Sequence, residues 1–236
     1  MRTTRRAVVL AALFGSIFVA GAAQAGDVKG KVSAQGLSSA KDIAVYTDAI
    51  AGKRFDLPAE RVTVDQRNMK FIPQTIVIVR ATTVDFLNSD QVVHNGHWPA
   101  IGGNKALRHS LTSVSPGEKK PFQFDNLGAA QLLCNLYSDL VGYTVVVPTP
   151  YFALTGSDGT FTIKDVPPGT YTLKTWSVEG KPSTQSITVA ARDSNVELAV
   201  RKYRAEPRKG SAHGANGQIS ESDQIPALSS GPFVRK

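Results

Sequence analysis

Apolar and polar positions alternate with a period of two along most of the chain. Val28, Gly30 and Val32 alternate with Lys29 and Lys31, and DIAVYT (42–47) and RVTVD (61–65) follow in the same style. Side chains on a strand point to opposite faces in turn, so the pattern predicts half-buried strands. MKFIPQTIVIV (69–79) departs from it: Ile76 to Val79 is apolar on both parities, which predicts a strand covered on both faces. TTVDFLN (82–88), two short strands around Pro116-Gly117, AAQLLC (129–134) and GYTVVVP (142–148) continue the series. SDGTFTIKDVPPGTYTLKTW (157–176) reads as a hairpin, with Phe161 and Ile163 sharing a face and Tyr171 and Leu173 returning after Pro167-Pro168-Gly169. QSITVA and NVELAV close the pattern. Short strands at regular spacing with turn signals between them predict an all-β chain of sandwiches.

The two ends differ from this body. Arg2, Arg5 and Arg6 precede an apolar run from Ala7 to Ala20, and Ala23-Gln24-Ala25 then leads into Gly26. Charge, apolar core and small-residue site together predict a secretory signal over 1–25, cleaved after Ala25; Arg5-Arg6 after Thr4 fits either a general or a twin-arginine signal. The run is too short for a membrane span, so none is expected once the signal is removed. The protein is therefore expected in the periplasm or otherwise exported. From Ala205 onward Gly, Ser, Pro and charge dominate, which predicts a disordered basic tail over 203–236. The formal charge of +8 is concentrated at these ends. Three arginines lie in the signal, and residues 201–236 carry a net +4, leaving the body at +1. A body so close to neutral argues against nucleic acid as a partner.

The chain has a single cysteine, Cys134, so an internal disulfide is excluded. A leftover thiol in an exported chain is a ligand, a reactive group, an intermolecular link or a small buried hydrophobe.

Four stretches carry a family resemblance: VDQRNMKFIPQTIVIV, TTVDFLNSDQVVHN, VSPGEKKPFQF and LLCNLYSDLVGYTVVVP. In order and spacing residues 59–149 resemble a cupredoxin of the plastocyanin and azurin kind, a Greek-key sandwich. TGSDGTFTIKDVPPGTYTLKTW is similar to the D-G-x-F…V-P-P-G-x-Y signature of a carboxypeptidase regulatory-like sandwich. The opening strands of that module have counterparts in GDVKGKVS and KDIAVYT, before the cupredoxin-like stretch. The expectation is a smaller sandwich split into 26–58 and 150–202, with the cupredoxin-like domain inserted in it. A lone N-terminal hairpin is marginal in water, and insertion at a surface loop is tolerated. The alternative is that 26–58 adds edge strands to the cupredoxin. The combination resembles exported proteins grouped with methylamine-utilisation accessory proteins.

The cupredoxin resemblance implies copper held by two imidazoles, a thiolate and a weak axial thioether. His94 matches the first imidazole and Cys134 the thiolate of the family's C-x2-H-x2-M loop. The second imidazole's position is Tyr137, and the axial position is Leu140. His97, three residues after His94, or His109 could replace the missing ring, and Tyr137 could bind only as a phenolate. Asn95 and Asn135 either tie the two ligand loops together or serve as turn residues. Trp98 reads as exposed after His97, either capping the sandwich or marking a docking patch, and Trp176 reads as core. Leu136, Leu140 and Val141 are expected to form an apolar docking face for a redox or cell-envelope partner.

No G-x-S-x-G, H-E-x-x-H or phosphate-loop motif is present, and Asp65, Asp85, Asp90 and Asp139 show no acid–base pairing, so no enzyme is expected. The leading expectation is an exported cupredoxin-like copper protein that carries electrons or handles metal. The alternative is a metal-free cupredoxin scaffold that serves interaction or assembly in the cell envelope.

Overall fold

The computed structural model describes residues 25–190 and 192–203, so the expected signal up to residue 24 and the tail from 204 lie outside the described residues. Among the described residues sixteen strands follow in chain order: β1 (Gly26–Gln35), β2 (Ala44–Thr47), β3 (Val62–Arg67), β4 (Lys70–Ile72), β5 (Thr75–Val79), β6 (Thr83–Asn88), β7 (His94–Trp98), β8 (His109–Val114), β9 (Lys119–Gln123), β10 (Gly128–Leu133), β11 (Val141–Val147), β12 (Phe152–Leu154), β13 (Thr160–Val166), β14 (Gly169–Trp176), β15 (Thr184–Val189) and β16 (Ser194–Arg201). The chain is all-β, as its period of two requires.

The strands form four sheets, ordered β4-β3-β6-β9, β5-β11-β10-β7-β8, β12-β2-β14-β15 and β13-β1-β16. Three apolar cores sit between them. Val64, Phe71, Ile78, Phe86, Trp98, Phe124 and Leu132 fill the space between the first two sheets, making the larger sandwich. Val28, Val45, Ile163, Leu173 and Leu198 fill the smaller one, between the last two. The third core joins the sandwiches face to face, with Ala44, Tyr46 and Trp176 against Ala129, Val145 and Val147.

That stacking accounts for the strands apolar on both parities. In β5, Ile76 and Ile78 face the larger core while Val77 packs against the joining core. In β2, Val45 belongs to the smaller core and Ala44 and Tyr46 to the joining core, so all four residues of the strand are buried.

Within the described residues, β1 pairs with β13 and β16, and β2 with β12 and β14. The segment before residue 48 therefore hydrogen-bonds as strands only with the segment after residue 151. The expected 157–176 hairpin is not a paired one: β13 joins β1, whereas β14 joins β2 and β15 in the facing sheet. Pro167 and Pro168 supply no amide hydrogen, so they suit a crossing between sheets better than a ladder. Phe161, Ile163 and Leu173 still meet in one core, because the chain arches over it. The strands around Pro116-Gly117 behave alike, β8 and β9 lying in different sheets of the larger sandwich.

Candidate functional site

The site lies at one pole of the larger sandwich, where β7 begins and β10 ends. His94 opens β7 and is fully buried, and Cys134 follows β10 and is almost as buried. Forty residues apart in sequence, His94 Nδ1 and Cys134 Sγ stand 4.0 Å apart. Register explains the meeting: β10 pairs antiparallel with β7, Leu133 opposite His97, so the end of one strand lies beside the start of the other.

His94 is held from its far side. Its Nε2 lies 2.9 Å from Asp90 Oδ2. An ionised carboxylate can only accept, so Nε2 carries the hydrogen and, in the neutral ring, Nδ1 turns its lone pair toward the sulfur. Asp90 also accepts from the amides of Asn68 (2.7 Å) and Met69 (3.0 Å). These two residues form the two-residue turn between β3 and β4, both with positive φ, 54° and 58°. Such a turn fits the twist of a hairpin, but costs about 1–2 kcal/mol at a residue with a side chain such as Met69. The carboxylate thus braces a turn and orients a ring at once. Burial pushes the Asp90 carboxyl up, but the hydrogen bonds from His94 and the two amides outweigh it, and the carboxyl sits below its ordinary range. Asn88, fully buried, fastens the approach by donating to the carbonyls of Val92 and Val114 (2.8 Å each) and accepting from the Asp90 amide.

Asn95 and Asn135 tie the two segments: Asn95 Oδ1 accepts from the Asn135 amide at 2.8 Å. The Tyr137 ring meets the His94 ring edge-on, centroids 5.1 Å apart, and Leu140 is buried in the core beneath. The positions where the resemblance places a second imidazole and an axial thioether are thus occupied by an aromatic cover and an aliphatic plug.

The other candidates lie elsewhere. His97 is a strand residue, not a loop residue. Gly96, whose added Cβ would sit 3.0 Å from Leu111, and Trp98 face the core with His94, which puts His97 on the opposite face. His109 packs against Trp98 and Phe122. Trp98 is not exposed: it is 0% accessible, stacked on Phe86 and in contact with Phe122 and Phe124, which excludes it from any docking patch. Leu140 is likewise too buried for a docking face; the exposed apolar residues at this pole are Leu136, Met69, Val92 and Val93. Trp176 is core, as expected. The residue that sequence reasoning missed is Asp90. Its signal was the D-x3-H spacing directly after Asn88 and Ser89, which lets a turn carry the carboxylate back onto the ring.

The distance between His94 Nδ1 and Cys134 Sγ is within the span of one bridging ion. Metal–imidazole and metal–thiolate bonds of about 2.0 and 2.3 Å sum to about 4.3 Å, more than the observed gap. A full set of ligands does not assemble: among the described residues no group of three or more His, Cys, Asp or Glu side chains could hold a metal ion.

Comparison with known proteins gives three findings. Residues 149–196 match the family model described as polysaccharide lyase family 4, domain II, a different module from the carboxypeptidase regulatory-like one that the 155–176 stretch resembles. No curated protein sequence matches the chain. Similar solved structures include a reduced mutant of amicyanin (TM-score 0.34, 19% identity, 42% of this chain and 90% of that one) and an amicyanin mutant in its Cu(I) form (0.34, 18%, 44% and 98%). A purple cupredoxin from Nitrosopumilus maritimus is similar as well (0.32, 19%, 36% and 98%). No helix among the described residues is long and apolar enough to cross a membrane.

Proposed function

We propose that this chain is an exported cupredoxin-type protein that binds a copper ion between His94 and Cys134 and handles the metal rather than shuttling electrons. The observation that carries the reading is the 4.0 Å approach of a lone-pair nitrogen to a buried sulfur, with the ring held by Asp90. A soft thiolate selects Cu(I), whereas blue-copper electron transfer uses two imidazoles and a thiolate. One imidazole and one thiolate under an apolar cover therefore favour holding Cu(I) over cycling between oxidation states. The Cys134 thiolate and His94 Nδ1 would hold the ion, and the rest of the pole would fix the ring, bury the sulfur and exclude water. The smaller sandwich, read as 26–58 joined to 150–202, would be the frame into which the copper-binding unit is inserted, and no catalytic role is assigned to either.

The test is metal loading of the purified mature protein. One equivalent of Cu(I) should bind, and Cys134→Ser should abolish it; no bound copper in either protein would overturn the reading. The double variant Tyr137→His, Leu140→Met should, with Cu(II), develop an intense thiolate charge-transfer band. A second reading rests on the Tyr137 ring closing over His94: the pole is a sealed relic, and the chain serves envelope assembly through its apolar surface. Absence of copper from the wild type, with the band appearing only in the double variant, would favour that reading.

A further inference from the structure

On the outer face of the same sheet, a groove of about 420 Å³ is lined by His97, Pro99, Arg108, Ser110 and Asn135, with the strand ends at Trp98 and His109 completing it. Register assembles it: His97 pairs with Ser110 across β7 and β8, and Pro99 and Arg108 flank the next step, just beyond Trp98 and His109. The Arg108 guanidinium has no partner among the described residues. His97 Nδ1 is a buried ring nitrogen without a hydrogen-bond partner. Ser110 Oγ accepts weakly from the Thr112 amide at 3.4 Å, which leaves its hydrogen free to donate. The Asn135 backbone amide is bound to Asn95, and its side-chain amide points to no protein partner among the described residues. No carboxylate lines the groove.

An unpartnered buried nitrogen is a standing cost unless something meets it, and an exposed guanidinium beside a hydroxyl and an amide that can donate suits an oxyanion. The volume lies within the range of small-molecule sites and exceeds what a bare anion fills. Pro99 offers an apolar wall for the rest of the ligand. We propose that this groove binds a small organic carboxylate, with the carboxylate on the Arg108 fork and the His97 ring and its apolar body against Pro99. The site is separate from the copper pole: His97 turns away from His94, and the proposal does not rest on metal binding.

The test is an NMR titration of the mature protein with benzoate, at constant ionic strength, beside acetate and inorganic phosphate. Benzoate should give saturable shifts confined to residues 97–99, 108–110 and 135. Arg108→Gln, at an exposed position, should weaken binding about tenfold or more, as loss of a charged hydrogen-bond pair does. His97→Gln should weaken it less, and Cys134→Ser should leave it unchanged. Shifts that do not saturate, that spread over the surface, or that persist in Arg108→Gln would overturn the proposal, and phosphate binding more tightly than benzoate would overturn the carboxylate class.

Discussion

The two sandwiches bury different things. The smaller one is closed by aliphatic side chains, with Val28, Ile43, Val45, Ile163, Leu173 and Leu198 at its centre. Its charges stay on the surface, in pairs such as Lys29 with Asp193 and Lys164 with Asp27. The larger one packs a cluster of aromatic rings and places polar groups inside: His94, Asn88, Gln66 and Asp85 are each no more than 2% exposed. Buried polar groups are costly unless partners meet them. Asp85 is met by Arg61 and Lys119, Asn88 by two carbonyls, and His94 by Asp90. The buried polar groups of the smaller sandwich are hydroxyls alone, Thr47, Thr155, Thr175 and Ser177, whereas the larger one also buries a ring, amides and a carboxylate.

That contrast can be broken by mutation. Trp98→Ala, which empties the aromatic cluster, should cost about 3–5 kcal/mol in denaturant unfolding, the largest loss expected of a single core change. Asn88→Ala should cost about 1–3 kcal/mol by leaving buried carbonyls unmet, and should also weaken copper binding, because the turn to Asp90 loosens. A variant equally destabilised but with copper affinity intact would show that the pole does not depend on this residue. Ile163→Val in the smaller core should cost about 0.5–1.5 kcal/mol and leave copper affinity untouched. If copper affinity fell with it, the smaller sandwich would be more than a frame.

The smallest effect is a matter of pH. Glu179 is held down to about 2 by hydrogen bonds from the Ser38 hydroxyl and amide and by Lys202. Its contribution is present above the ordinary value of 4.5 and fades as pH falls toward 2. Glu179→Gln should therefore lower the thermal midpoint slightly at neutral pH, with the difference from wild type closing between those two values. A difference that stays constant down that range would exclude the carboxylate as its source.

The strands were legible because period-two alternation survives wherever one face is buried, and Ile76 to Val79 announced a doubly covered strand before any sheet was known. The meeting of His94 with Cys134 was legible only through resemblance, since nothing local links residues forty positions apart. His97 misled because a three-residue spacing brings side chains together in a turn but separates them on a strand. Trp98 misled because a large ring next to two glycines and a proline reads as loop, whereas its strand points it into the core. Asp90 is hard to read from sequence because its partners are a ring and two backbone amides rather than a second carboxylate. Residues 157–176 read as a hairpin because alternation reports faces and not neighbours.

Where the chain leaves the smaller sandwich it also comes back. Phe152 sits opposite Tyr46, the Thr47 amide donates to the Tyr151 carbonyl at 3.0 Å, and the Thr47 and Thr149 hydroxyls touch at 2.6 Å. Exit and re-entry share one doorway, so everything between residues 48 and 149 could be cut out and the stumps joined by a tight turn without disturbing a rung of the remaining ladders. What such a trimmed protein would lose is a lid: Tyr46 and Trp176 would face open water, and their wet, greasy surface would look for a new neighbour.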